Sequence, residues 1–274
     1  MRLGEAMKQK SIISSQSNPQ VKMLALLQKK SRARYEQELF VVEGLKMFEE
    51  ARAMGLLVKA YVSESFYGDM LAKQAGYFDS IEYEILTDSV FKAISDTQTP
   101  QGIMGLVRIS MHKPEDIISN PDAFLLLLED IRDPGNLGTI IRAAEGAGIS
   151  GILTSSSTVD LYNPKVVRST MGSIFRVPLC QVEDFYGILN EIKKNKIIMY
   201  AAHLNGTDYD REKGYTGKCA FLIGNEAGGL SDRAVSFADK LIKIPMAGKV
   251  ESLNAAVAAA ILIYEAARQR RLTN

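Results

Sequence analysis

Asn136 and Arg142 lie in the run Asn136-Leu137-Gly138-Thr139-Ile140-Ile141-Arg142, directly after Asp133-Pro134-Gly135. Gly135 and Gly138 permit a tight turn, and Asn136 can cap the helix that follows. Arg142 then lies about one turn inside that helix. An amide and a guanidinium so placed can crowd one end of a sheet, where open α/β folds bind ligands. The plainer alternative is a capped helix with a surface arginine. A second run, Ile223-Gly224-Asn225-Glu226-Ala227-Gly228-Gly229-Leu230-Ser231, exposes backbone amides and carbonyls after an apolar stretch. It matches neither G-x-G-x-x-G nor a P-loop, which argues against phosphate cradling by either device. Glu226 is an acid in a turn beside apolar residues, where a structural hydrogen-bonding role and a functional one are both open. The third run, Ile244-Pro245-Met246-Ala247-Gly248, leads into Glu251-Ser252-Leu253-Asn254-Ala255. Pro245 and Gly248 end a strand, and Ser252 and Asn254 stand where a helix begins, Ser252 being the candidate N-cap.

These runs need strands and helices to hold them. Phe124–Leu128 is an apolar run that reads as a strand buried on both faces. Gly138–Ala147 reads as a helix closed by Gly148. A strand at Gly151–Leu153, a helix at Asn163–Thr170 and a strand at Ile174–Val177 follow. A helix at about 184–194 leads to strands at Ile197–Ala201, Ala220–Ile223 and Lys240–Ile244. The chain closes with an Ala-rich helix, Leu253–Arg268, whose small residues let helices pack closely. Strand–helix alternation with buried strands predicts a mostly parallel sheet with helices on both faces.

The first part of the chain alternates shorter pieces and predicts a separate, smaller α/β unit. Ser17-Asn18-Pro19 starts a helix with apolar Val21, Leu24, Ala25 and Leu27 at helical spacing. Strands are expected at Leu39–Val42, Lys59–Val62, Tyr83–Leu86 and Gly102–Arg108. Helices are expected at Gly44–Met54, at 67–76 and at Thr87–Ile94. Two prolines and a change of pattern between His112-Lys113-Pro114 and Asn120-Pro121 mark a boundary. The expected division is an N-terminal unit over 1–110, a linker over 111–120 and a second unit over 121–274.

The 274 residues, 46% hydrophobic and 24% charged, describe an ordinary globular protein with enough apolar material for two cores. No apolar run is long enough for a membrane span, and the N-terminus lacks the apolar stretch of a signal peptide. Cys180 and Cys219 are isolated, with no spacing suited to zinc or redox work, which fits a reducing, cytoplasmic setting. No metal-ligand cluster is visible. Net charge is +1, but residues 1–60 hold eleven Lys or Arg against six Asp or Glu. Lys22, Lys29, Lys30, Arg32 and Arg34 occur with no acid between them. That stretch could contact phosphates; charge alone favours a solvated helix face.

The three runs, in this order and spacing, resemble the SpoU (TrmH-like) family of RNA ribose methyltransferases, part of the SPOUT superfamily. The resemblance covers about 121–274. Residues 11–110, with Ser17-Asn18-Pro19 and Phe40-Val41-Val42-Glu43-Gly44, are similar to the RNA-binding domain that often precedes it. One departure is Ala227, where many members carry glycine. The resemblance implies a deep trefoil knot in the second unit; topology rules alone point to an unknotted sheet. It implies S-adenosyl-L-methionine (AdoMet) as cofactor, held by backbone around Gly224, Ile244 and Leu253, with Ala201, His203, Asn225 and Ala255 as wall contacts. It implies a homodimer in which the partner completes each site. It implies Arg142 as the main catalytic residue, with Asn136, Glu226, Ser252 and Asn254 placing Arg142, the RNA backbone or the methionyl end.

The expected reaction is attack by a ribose 2′-hydroxyl of RNA on the AdoMet methyl. Arg142 is normally charged, so it suits orienting a phosphate and stabilising a developing alkoxide better than accepting a proton. His203 invites a general-base role, which the family does not assign. Ribosomal RNA is the expected substrate, with tRNA the alternative. Two other readings stay open on sequence: a non-enzymatic RNA-binding relative, and a dinucleotide-dependent enzyme lacking the usual glycine fingerprint.

Overall fold

A computed structural model describes residues 11–273; the ten residues before them, part of the expected N-terminal unit and the whole signal-peptide question, lie outside. The chain divides between Ile109 and Ser110 into two units.

In the first unit, α1 (Pro19–Lys29) begins where Asn18 accepts a hydrogen bond from the Gln20 N–H at 2.8 Å. Its buried face is Val21, Leu24 and Leu27. A second helix, α2 (Ser31–Gln37), occupies the basic run, where charge concealed the pattern. Arg34 is buried there and donates to the carbonyls of Leu27 and Gln28 at the end of α1. It is therefore a helix-capping side chain and unavailable to phosphate. Arg32 pairs with Glu36 at 2.6 Å, while Lys22, Lys29 and Lys30 are exposed.

The unit continues through β1 (Leu39–Glu43), α3 (Leu45–Ala53), β2 (Leu57–Ser63), α4 (Glu64–Lys73), β3 (Tyr83–Leu86), α5 (Asp88–Ile94) and β4 (Ile103–Arg108). Helix α4 starts earlier than the pattern suggests, because Ser63 caps it by accepting from the Phe66 N–H. The sheet order is β1-β4-β2-β3, antiparallel except for the β2–β3 pair. Alternation along β2 fills both faces. Tyr61 packs with Leu24, Leu27 and Phe91, while Ala60 and Val62 pack with Phe48 and Phe78. Glu43 ties the end of β1 to the loop beyond α5, accepting from Ser95, Thr97 and the Asp96 N–H.

The second unit opens with α6 (Pro114–Ile118), inside the segment expected as a linker. Ile117 and Ile118 are buried in the core with Leu125 and Leu127, so this stretch belongs to the second unit. Next come β5 (Phe124–Leu128), α7 (Pro134–Ala147), β6 (Gly151–Ser155), α8 (Pro164–Ser169), β7 (Leu179–Val182) and α9 (Phe185–Lys194). The last elements are β8 (Ile198–Asp208), β9 (Cys219–Ile223), α10 (Asp232–Val235), β10 (Lys240–Lys243) and α11 (Ala255–Thr273). All six strands pair in parallel, in the order β10-β8-β9-β5-β6-β7. Leu125 and Leu127 face a core built with α6, α9 and α10. On the other face the Phe124 ring lies 4.9 Å from the Arg270 guanidinium of α11. Helices thus cover both faces, as the buried strands require.

Ile174–Val177 is not a strand. It holds a 3-10 turn at Ser173–Phe175, entered through left-handed Met171 and Gly172, and the strand is the neighbouring Leu179–Val182. Each is a four-residue stretch with buried apolar ends and a polar residue inside, Arg176 or Gln181, which periodicity alone does not separate. Both cysteines are free thiols. Burial raises the Cys219 thiol to about 12, which suits a packed side chain and disfavours a reactive one. No helix among the described residues is long and apolar enough to cross a membrane.

Thr154 on β6 is fully buried and its hydroxyl has no hydrogen-bond partner. Thr154→Val keeps the shape and removes the unpaired group. It is expected to raise stability by about 1 kcal/mol, read as a higher urea midpoint at unchanged m-value.

Candidate functional site

The C-terminal ends of β5, β9, β8 and β10 carry the chemistry, and each loop there is fixed by a specific local cause. After β5, Asp133 caps α7 by accepting from the Asn136 N–H at 2.8 Å, with Pro134 in the first turn. The helix therefore starts before the expected turn has ended, and Asn136 is not its cap. The Asn136 side chain is left to reach across the sheet end. Close to it, Gly138 lets α7 approach α8; a Cβ there would fall 2.4 Å from Ser169 Cβ and 2.7 Å from the Val166 carbonyl oxygen.

After β9 the chain makes a closed loop, with Asn225 and Gly229 exchanging backbone hydrogen bonds at 3.0 and 2.9 Å. Gly224 is required by close approach: a Cβ there would lie 2.2 Å from the Gly229 carbonyl carbon. Gly229 has φ +69, and Ala227 is not among the positive-φ residues, so alanine is accommodated at that position. The Asn225 amide donates to the Asp130 carbonyl at 2.8 Å, and its oxygen accepts from the Ala227 and Gly228 N–H groups.

Glu226 gathers donors from another loop. It accepts from Asn136 Nδ2 at 2.9 Å and from the N–H groups of Arg132 and Asp133, each at 3.3 Å. Burial pushes its carboxyl up, but these donors outweigh burial and hold it below the ordinary value. Asn136 Oδ1 in turn accepts from Asn254 Nδ2 at 2.9 Å. Asn254, rather than Ser252, starts α11: its side chain accepts from the Ala256 and Val257 N–H groups. The relay Glu226–Asn136–Asn254 thus joins all three sequence runs through side chains.

Glu226 also borders a pocket of about 310 Å³. Gly224, Asn225, His203, Ile244, Leu253 and Ala255 line it, together with Glu226 and Ser252. Ala201 does not; its side chain is fully buried in the core. The reason is an irregularity in β8. Its pairing with β10 jumps from Ala201↔Leu241 to Thr207↔Ile242. The residues between bulge out of the ladder, and Ala202, His203 and Leu204 face the pocket instead. Gly206 closes the bulge, since a Cβ there would lie 2.5 Å from Ile242 backbone atoms. Sequence reasoning missed Ala202, Leu204, Lys243 and Met246 as lining residues; the bulge that presents Ala202 and Leu204 exists only in the strand pairing and leaves no mark on the apolar pattern.

His203 Nδ1 accepts the Asn205 N–H at 3.2 Å. That bond engages the Nδ1 lone pair with the chain's own backbone. Arg142 is exposed on α7 and lines neither this pocket nor the recess beside it. That recess, of about 610 Å³, is bordered by Arg132, Asn136, Glu226, Ser252 and Asn254. Asn225, Glu226, Ala227, Ser252 and Leu253 border both spaces, while Asn136 and Asn254 border the recess alone, so a ligand in one space would lie beside a ligand in the other. Among the described residues no group of His, Cys, Asp or Glu is placed to hold a metal ion.

A model of the SpoU rRNA methylase family matches residues 123–264, and one of the MRM3-like substrate binding domain matches residues 18–105. The 23S rRNA (guanosine(2553)-2′-O)-methyltransferase RlmP of Bacillus subtilis (strain 168) is 33% identical over 253 residues, covering 92% of this chain and 97% of its own. The AdoMet-bound rRNA methyltransferase from Sinorhizobium meliloti matches at TM-score 0.80 and 31% identity, over 94% of this chain and 97% of that one. The SpoU methyltransferase AviRb from Streptomyces viridochromogenes, in complex with AdoMet, matches at TM-score 0.82 and 26% identity, over 93% and 98% of the two chains.

Proposed function

The chain belongs to the SpoU rRNA methylase family, and from that premise we propose that it transfers a methyl group from AdoMet to a ribose 2′-hydroxyl of ribosomal RNA. The observation that carries this reading is the shared wall: Asn225, Glu226, Ser252 and Leu253 border both a pocket and the more open recess, and Glu226 is tied to Asn136 and Asn254 on the recess side. Two ligands must meet for group transfer, and adjoining spaces with a common wall would let them. The relatives' names favour ribosomal RNA over tRNA.

The pocket fits the cofactor. Its 310 Å³ lies within the range of small-ligand sites, and its lining is largely apolar with convergent backbone groups. An added Cβ at Gly228 or Gly229 would meet no protein atom within 4 Å, so the space before them is open to a ligand. Leu204, Ile244 and Leu253 would offer apolar surface to the adenine, and backbone amides and carbonyls near Gly224 would read its donor and acceptor edge. AdoMet supplies a methyl on a sulfonium, a good leaving group. As the ribose oxygen–carbon bond forms, the carbon–sulfur bond breaks, giving a 2′-O-methylribose, a neutral thioether and one released proton. A neutral leaving group needs no metal ion. The protein's task is alignment and proton removal. Glu226 holds Asn136, Asn136 holds Asn254, and the three fix the wall against which the ribose is presented. Arg142 would stabilise the developing alkoxide.

We assign Arg142 to the partner's site, because it lies outside the pocket of its own chain. The working form is then a homodimer, with α11 as an interface element; its Val257 and Tyr264 are exposed. The residues between β8 and α11 would tie the trefoil knot implied by the family, and the first unit would bind the RNA, using exposed Lys22, Lys29 and Lys30. A cytoplasmic location accords with the free thiols. The test is transfer of labelled methyl from AdoMet to total RNA, followed by nuclease digestion and nucleoside mass analysis. A 2′-O-methylnucleoside confined to the ribosomal RNA size class is expected. Label confined to tRNA would overturn the substrate class, and no AdoMet binding by calorimetry would overturn the enzyme reading.

A further inference from the structure

The open recess beside the cofactor pocket has one cationic lining residue, Arg132. Its two acids are already engaged. Asp133 caps α7, and Glu226 accepts from three donors. Arg132 is held differently. Its Nε lies 3.0 Å from Asp130 Oδ1 and its Nη2 lies 2.9 Å from Asp130 Oδ2, a side-on fork. That fork uses one edge of the guanidinium and leaves the remaining N–H donors pointing away from Asp130. The Arg132 side chain is 74% exposed, so those donors are accessible.

The mount is rigid. The Arg132 N–H is bonded to Glu226, the Asp130 N–H donates to Ser155 at 2.9 Å, and the Ile131 carbonyl accepts from the Val159 N–H at 2.8 Å. Asp130 itself is left-handed, at φ +57, and also receives the Asn225 amide on its carboxylate at 3.3 Å. A lone surface ion pair needs none of this support and is worth little. A guanidinium oriented at the mouth of a recess that shares its wall with a cofactor pocket is what a phosphodiester requires.

We propose that Arg132 grips the RNA phosphate adjacent to the ribose being methylated, with Asp130 as the positioning residue that aims it. The proposal rests on the methyltransferase reading above. The recess would then hold the acceptor nucleotide between the relay and Arg132. Arg132 would set where along the strand the 2′-hydroxyl comes to lie, while base identity is read elsewhere.

The test compares wild type, Arg132→Ala and Arg132→Lys on a ribosomal RNA transcript over a series of salt concentrations. Arg132→Ala is expected to raise the KM for RNA roughly ten- to hundredfold, with a smaller change in kcat. The slope of log(kcat/KM) against log salt should become shallower by about one. Arg132→Lys should restore the salt slope but only part of the KM, because a point charge replaces the fork. AdoMet affinity by calorimetry should be unchanged in both. An unchanged KM and slope in Arg132→Ala would reduce Arg132 to a surface ion pair. Weakened AdoMet binding at unchanged slope would also overturn the proposal, making Arg132 a brace for the cofactor loop. If wild type itself binds no AdoMet and transfers no methyl, the reading beneath the proposal fails, and the proposal with it.

Discussion

Arg142→Ala is expected to lose about 10²–10³-fold in kcat, the scale for removing one charge-stabilising donor, while AdoMet affinity holds. The physical reason for the split lies in α7. Asn136 faces the recess, and Arg142 follows it by ~240° around the helix at 3.6 residues per turn. The guanidinium is therefore turned away from the recess of its own chain, exposed, and no part of the pocket wall. An active-site role then requires a second copy. Mixing Arg142→Ala with Glu226→Ala provides the decisive measurement. After random re-association about half the dimers are mixed, and each has one site with both residues intact, so roughly a quarter of wild-type activity should return in a closed two-fold dimer. A mixture that stays at the sum of the two residual activities would place Arg142 in its own chain's site, or in none.

Much of the second unit was legible because its central strands are buried on both faces. Phe124–Leu128 and Cys219–Ile223 have no polar residue to confuse the pattern, and both are strands. The first turn of α7 does not look helical by composition. Asp133-Pro134-Gly135 has the composition of a turn, yet proline fits the first helical position, where its missing N–H costs nothing. Helix α2 was concealed by charge, since only the folded chain shows that Arg34 turns inward onto the end of α1.

At the site, local pattern placed Gly224 and Asn225 after a strand, but it could not find what Glu226 touches. Its partners Arg132, Asp133 and Asn136 come from a different βα loop, some ninety residues earlier in the chain. The bulge that carries Ala202, His203 and Leu204 is equally invisible, because it exists only in the pairing of β8 with β10. The roles assigned by family resemblance reached further than periodicity did. They still named Ala201, where the structure presents Ala202 to the pocket.

Glu226→Gln should reproduce, at neutral pH, the enzyme's own acid-inactivated state. The carboxylate accepts from the Asn136 amide and from two backbone N–H groups. Glutamine offers one oxygen, and its NH₂ would face a donor, so at least one partner is left unpaired. Hydrogen bonds to a charged acceptor are worth about 1.5–3 kcal/mol each, so a loss of about 10²-fold in kcat/KM is expected. Asn136 would no longer be fixed, and its bond to Asn254 would loosen with it.

The pH sign follows from the lowered pKa of Glu226. Its folded value lies below the ordinary 4.5, so its contribution is fully present above that value and is lost as the pH falls below it and through the folded value. Wild-type activity should therefore be insensitive to Glu226 at neutral pH and should fall on an acid limb as Glu226 protonates. In Glu226→Gln that limb should be absent, with the low activity continuing flat across the same window. Glu226 is mostly exposed in the single chain, so global stability is expected to change less than activity. Thermal unfolding measured alongside the rates separates the two. An acid limb that persists unchanged in Glu226→Gln would mean that another group titrates, and the relay would then be scaffolding rather than the element that aligns the acceptor ribose.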